Sequence, residues 1–204
     1  MNHRTNSRNL SREYSDSIKR QMRELSHLVG ELERNNQFVS VIGKTCDALE
    51  ECIRRGNKIL IAGNGGSAAD SQHFAAELMS RYMIERDPIR AMALSTDTSI
   101  LTAVANDYGF ENIFMRQLEG LGDSGDVFVA LTTSGRSRNI INGIIQSKKM
   151  GILTVALCGN AGLDQGLECD IMIRVTSDSV PRIQELHGLA IHCICHELEQ
   201  RLYQ

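Results

Sequence analysis

The 204-residue sequence predicts an α/β protein: a doubly wound, parallel, five-stranded sheet flanked by helices. Three observations carry this. Five short apolar runs, at 58–62, 91–94, 126–131, 152–158 and 170–175, alternate with helical stretches, the pattern of successive strand–helix–strand units. Several of those runs empty into polar loops that open a helix, and ligands of such sheets gather beyond the carboxyl ends of the strands. An amphipathic helical segment, residues 1–56, precedes the first strand.

From about Asn9 to Arg54 the apolar positions recur at helical spacing, with Ile18, Met22, Leu25, Leu28, Val29 and Leu32 on one side, then Val39, Val41, Ile42 and Leu49. Asn35-Asn36 divides this stretch into two helices. His27 reads as a solvated or capping histidine. A helical pair ahead of the first strand of an α/β domain often packs on another subunit. Residues 1–204 are therefore expected to form one domain, with 1–56 packed on it and on neighbouring subunits.

Lys58 to Ala62 reads as a buried strand delivering Gly63-Asn64-Gly65-Gly66-Ser67 to a helix. Glycines allow close approach of a ligand, Ser67 is a candidate helix cap, and the free amides of the first turn favour an anionic or polyhydroxylated molecule. His73 and Glu77 follow on one face, one turn apart. Such a pair is ordinarily a solvated surface contact. Here Phe74, Ala75, Ala76, Leu78 and Met79 make the helix largely apolar, which favours a base and potential metal ligand. The loop also reads G-x-G-x-x-A through Ala68, but no acidic residue stands at the end of the next strand, so no nucleotide cofactor is expected.

Ala91 to Leu94 reads as a second buried strand, and Ser95-Thr96-Asp97-Thr98 as the start of the next helix. That helix carries Leu101, Ala103 and Val104 and stops near Asn106-Asp107-Tyr108-Gly109, where Asn106 and Asp107 fit a cap and turn. Phe110 to Leu121 reads as a further helix. Asp126 to Leu131, the clearest strand, delivers Thr132-Thr133-Ser134-Gly135-Arg136-Ser137 to a helix over 138–150. One hydroxyl suffices for a cap, so four hydroxyls and a glycine at a strand–helix junction point to a phosphate cradle. No Walker lysine accompanies it. The last helix opens near Pro181 and carries Gln184 and His192 eight positions apart, on broadly one face. His187 and His196 share that helix and read as core or surface residues.

Composition is that of an ordinary globular protein, 42% hydrophobic and 23% charged, and a formal charge of -3 without a long basic run argues against nucleic acid. No apolar stretch approaches the roughly 20 residues of a membrane span, and the polar start is unlike a secretion signal, so a cytoplasmic location without membrane contact is expected. The six cysteines form no C-x-x-C pair and are expected as reduced, mostly buried thiols.

Together the stretches AGNGGSAADSQHFAAELMSR, LSTDTSILTAVANDYGFE, GDVFVALTTSGRSRNI and PRIQELHGLAIH resemble the sugar isomerase (SIS) domain family, over essentially the whole chain. The resemblance implies a homotetramer with active sites at subunit interfaces. It implies substrate contacts from Asn64, Gly65, Gly66, Glu77, Asn106, Asp107 and Gln184, and a phosphate held by Thr132, Thr133, Ser134 and Ser137. It assigns Glu77 and His192 as the acid and base, and His73, Glu77, Gln184 and His192 as ligands of one zinc ion per subunit. The implied reaction converts a phosphorylated seven-carbon sugar, sedoheptulose 7-phosphate, to D-glycero-D-manno-heptose 7-phosphate through an enediol. That is a first step toward ADP- or GDP-heptose for lipopolysaccharide, capsule or another bacterial surface polysaccharide. The alternatives are a non-catalytic SIS module that regulates replication initiation and an isomerase of a shorter sugar phosphate. Regulatory relatives lack the catalytic pair, so the presence of Glu77, His192 and Gly-Asn-Gly-Gly favours an enzyme.

Overall fold

The structure, a computed structural model, describes residues 3–164 and 166–203. Helices α1 (His3–Arg34) and α2 (Asn36–Arg54) open the chain, and α1 begins earlier than the apolar pattern indicated. Asn35 separates them because its side-chain oxygen accepts from the amides of Gln37 and Phe38, at 3.0 and 3.2 Å, and so caps α2. Then follow β1 (Ile59–Ala62), α3 (Gly66–Met79), β2 (Ala91–Ala93), α4 (Thr98–Tyr108), α5 (Ile113–Leu121), β3 (Val127–Thr132), α6 (Arg138–Lys149), β4 (Leu153–Cys158), β5 (Ile171–Arg174) and α7 (Val180–Tyr203).

The five strands pair in parallel in the order β2-β1-β3-β4-β5. Ile59, Ile61, Val127, Val129, Val155 and Leu157 face α2, α3 and α7, while Leu60, Ala62, Phe128 and Ala130 face α5 and α6. Both faces are covered. This is why the central strands read as unbroken apolar runs.

Two expectations need correction. Strand β2 lies at an edge of the sheet and leaves Met92 46% exposed, so it is not buried on both sides. The stretch from Phe110 to Leu121 is not one helix: Gly109, at φ +89°, ends α4, and a 3-10 turn over Phe110–Asn112 precedes α5. Among the described residues no helix is long and apolar enough to cross a membrane. Cys46, Cys52, Cys158 and Cys195 are buried thiols, and burial pushes Cys46 and Cys158 up to about 12.

Buried polar groups lock the amino-terminal ends of the strands. Asp126, fully buried before β3, accepts from the Lys58 amide at 2.9 Å, the Asn57 side chain at 3.1 Å and the Asp123 amide at 2.8 Å, with Lys58 Nζ at 2.7 Å. Burial alone would raise its pKa. The Lys58 ammonium and the amides outweigh that and hold the carboxyl below its usual range.

His187 of α7 is completely buried, and burial pulls its pKa from 6.5 down to about 4. It is a core residue. Between those two values the unfolded chain binds a proton that the folded chain refuses, so stability falls as pH falls through that window. We predict that His187→Leu flattens the decline of melting temperature between pH 6.5 and 4, measured by calorimetry. The further loss below pH 3.8, as the Asp126 carboxyl takes up a proton, should persist in that variant. An unchanged profile between the two values would show that another group governs it.

Candidate active site

The candidate site is assembled from the loops after β1 and β3, the helices α3 and α6 that follow them, and α7. At the start of α3 the cap is Gly65, with no side-chain cap bond; the Ser67 and Ala68 amides bond the carbonyls of Asn64 and Gly65 at 3.0 and 3.1 Å, which leaves the amides of Gly65 and Gly66 to face a ligand. Ser67 is not the cap that the sequence suggested. It is packed inward, 3% exposed, and its carbonyl accepts the Ser71 hydroxyl at 2.7 Å. Gly66 has a steric purpose: a Cβ there would stand 2.3 Å from Gln184 Nε2, so the Gln184 amide lies directly over the first turn of α3.

Asn64 is fixed by Asn139 through reciprocal amide bonds of 2.9 and 2.8 Å. Asn139, 2% exposed, also accepts from the Ile140 amide at 2.9 Å, so one side chain joins the loop after β1 to the start of α6. Sequence reasoning passed over Asn139. An asparagine at a helix start has a local explanation, and its partner lies 75 positions away.

Of the four hydroxyls in the candidate phosphate loop, two help to shape it. Thr132 accepts from the Gly135 amide and Ser134 from the Arg136 amide, each at 3.2 Å. Gly135, at φ +68°, is required because a Cβ would collide with the Gly162 carbonyl. Ser137 precedes α6 without making a side-chain cap bond, and Thr133 is half-buried. Ser137 lines a pocket of about 680 Å³ with Asn64, Gly65, Arg138, Asn139, Asn142, Phe110 and Glu111. Arg138, Asn139, Asn142, Phe110 and Glu111 were not among the sequence candidates. Asn106 and Asp107 lie on the exposed last turn of α4, bonded to one another at 2.7 Å, outside that pocket wall.

The second part of the site is a three-residue group. His73 Nε2 lies 3.0 Å from Glu77 Oε1 and 3.4 Å from His192 Nε2. The two imidazoles meet edge-on with centroids 5.0 Å apart, and the Tyr82 ring lies 5.8 Å from that of His192. Among the described residues these three form the one group of histidine, cysteine and carboxylate side chains close enough to hold a metal ion. Tetrahedral zinc with N and O donors at about 2.0–2.1 Å places neighbouring donors roughly 3.3 Å apart; the two spacings from His73 are close to that, and all three donors lie within 4.8 Å of one another. Gln184, the fourth sequence candidate, lies over Gly66, seven residues or about two turns before His73 along α3. Of the other histidines, His196 is exposed, and His27 is solvated beside Glu31 at 3.3 Å.

Comparisons with known proteins point to one family. The model of the SIS domain matches residues 13–159. The phosphoheptose isomerase of Sulfurimonas denitrificans is 48% identical over 189 residues, covering 93% of this chain and 92% of that one. The phosphoheptose isomerase structure from Francisella tularensis superposes with a TM-score of 0.86 at 34% identity, over 92% of this chain and 98% of that one. That from Neisseria gonorrhoeae does so with a TM-score of 0.82 at 35% identity, over 92% and 99%. The chain therefore belongs to the SIS domain family, in the branch that holds the phosphoheptose isomerases.

Proposed function

We infer that the chain is a sugar-phosphate isomerase of heptose biosynthesis, and we propose that it converts sedoheptulose 7-phosphate to D-glycero-D-manno-heptose 7-phosphate, toward ADP- or GDP-heptose for a bacterial surface polysaccharide. The observation that carries the mechanism is the convergence of Glu77 and His192 on His73, at 3.0 and 3.4 Å. Aldose–ketose exchange moves one proton between adjacent carbons and another between their oxygens, with no net change in composition. Glu77 takes the proton from the carbon beside the carbonyl and returns it to the neighbouring carbon. His192 protonates the carbonyl oxygen and accepts the proton of the adjacent hydroxyl, so the intermediate is an uncharged enediol.

His73, Glu77 and His192 are the residues that would hold zinc, whereas Gln184, over Gly66 about two turns away, would contact the sugar. Bound by those three, zinc would polarise the carbonyl and stabilise developing charge on the enediol oxygens, and Glu77 and His192 would shuttle protons only while not engaged as its ligands. The distal phosphate is taken by the Thr132–Ser137 loop and the dipole of α6, and its binding energy orients the reacting end. Asn64, Gly65 and Gly66 offer amides to the sugar hydroxyls.

Gly65 and Glu77 are twelve residues apart on α3, about 18 Å along its axis. We therefore place the cradle of one subunit opposite the acid–base group of another, within a homotetramer. Asn106 and Asp107, away from the pocket of their own chain, are then contributors across the interface. The exposed stripe of Ile18 (57%), Met22 (66%) and Val29 (36%) on α1 supports such an assembly.

Three outcomes test this reading. Metal-stripped and zinc-reconstituted protein should be assayed on sedoheptulose 7-phosphate beside Glu77→Gln, which should lose about 10²–10⁴-fold in kcat. Full turnover in that variant sinks the mechanism, and sugar phosphate binding without turnover by the wild type identifies a binding module instead. Ser137→Ala should raise KM roughly fivefold, equivalent to about 1 kcal/mol, with kcat little changed. Light scattering should show a tetramer that Ile18→Asp with Met22→Asp dissociates, activity falling with the assembly; an active monomer would place the whole site in one chain.

A further inference from the structure

Arg86, in the loop between α3 and β2, forms a buried ion pair with Glu199 of α7 that the proposed chemistry leaves unexplained. The side chains of Arg86 and Glu199 are 1% and 2% exposed, and Arg86 Nε donates to Glu199 Oε1 at 3.0 Å. The same guanidinium donates to the carbonyls of Glu77 at 2.7 Å, Leu78 at 2.9 Å and Asp87 at 3.0 Å. The Glu77 and Leu78 carbonyls belong to the last turn of α3, where no further helical amide is available. Arg86 therefore caps the turn that carries Glu77.

Glu199 holds the other side. Its carboxylate accepts from the amides of Tyr82 at 2.9 Å, Met83 at 2.8 Å and Ile84 at 3.3 Å. It stands on α7 seven residues after His192, two helical turns along the same face. The Tyr82 backbone that it anchors carries the ring packed 5.8 Å from the His192 imidazole. The pair thus spans from the turn bearing Glu77 to the helix bearing His192.

We propose that Arg86 and Glu199 are positioning residues that set the spacing of Glu77 and His192, an inference that rests on the acid–base reading of that pair. Stability alone does not call for them, since apolar side chains of similar volume commonly replace a buried ion pair without loss. What they add is direction. A planar guanidinium fixes two helix carbonyls and a carboxylate at once, which a lysine ammonium cannot reproduce.

The test is Arg86→Lys in the full-length protein, assayed with sedoheptulose 7-phosphate at a temperature where circular dichroism shows it folded. Zinc affinity is measured in parallel by competition with a chromophoric chelator. We expect kcat to fall at least tenfold with KM within about threefold, and zinc affinity to weaken about 10–100-fold, since displacement of the group by about 1 Å suffices for such losses. A folded variant with kcat and zinc affinity within about twofold of wild type would show that the pair only stabilises the fold. If Arg86→Lys does not fold, the double variant Arg86→Met with Glu199→Leu restores packing and is scored by the same thresholds. Wild type and Glu77→Gln run alongside: a wild type without turnover sinks the isomerase reading, and zinc affinity alone then decides the role of the pair.

Discussion

The Glu199 carboxylate is the constraint on which the arrangement of α3 and α7 depends. Removing such a group from water costs several kcal/mol, and only well-aligned partners offset that cost. Burial would push its pKa up, but the amides of Met83 and Tyr82 and the Arg86 guanidinium outweigh burial and hold it below the usual carboxylate range. The exposed pairs Arg55–Glu51 and Arg81–Glu85 are of another kind, each contributing about 0–1 kcal/mol and tying only adjacent turns of chain. Glu199 and Arg86 join separate elements where the apolar faces of α3 and α7 also pack side by side. Gln184 lies over Gly66 near the start of α3, and His192 lies beside His73 further along.

The two ends of the sheet are treated differently. At the amino-terminal ends, carboxylates are saturated by the protein itself: Asp126 by Lys58, Asn57 and Asp123, and Asp170 by the amide and hydroxyl of Thr154 at 2.7 and 2.6 Å. At the carboxyl ends the polar groups are only partly satisfied. The first turn of α3 has no side-chain cap, and Ser137 makes no cap bond at the start of α6. Unfilled donors beside helix amino termini suit an anionic, hydroxyl-rich ligand, whereas filled ones hold the strands in register.

Much of this was legible in the sequence because it depends on neighbouring residues. The runs ILIA and VFVALT are buried throughout, as their lack of alternation indicated. The Asn35 break, the glycine loops and the His73–Glu77 spacing were equally local. Where local reasoning failed, a distant group had changed the outcome. Ser67 has the chemistry of a cap, but the bare Gly63 backbone lets it turn into the core, where a Cβ on Gly63 would stand 2.3 Å from the Ser67 carbonyl oxygen. Met92 looks like a core residue until the strand order places β2 at an edge.

The sequence by itself determined the strands, the helices and the polar loops that join them, since hydrophobic periodicity and turn chemistry act over a few residues. Tertiary structure alone decided the pairings in and beside the candidate site: His192 with His73 across 119 positions, Glu199 with Arg86 across 113, and Asn139 with Asn64 across 75. Those contacts exist because the order of strands in the sheet fixes which helices become neighbours. No local pattern of residues encodes that order.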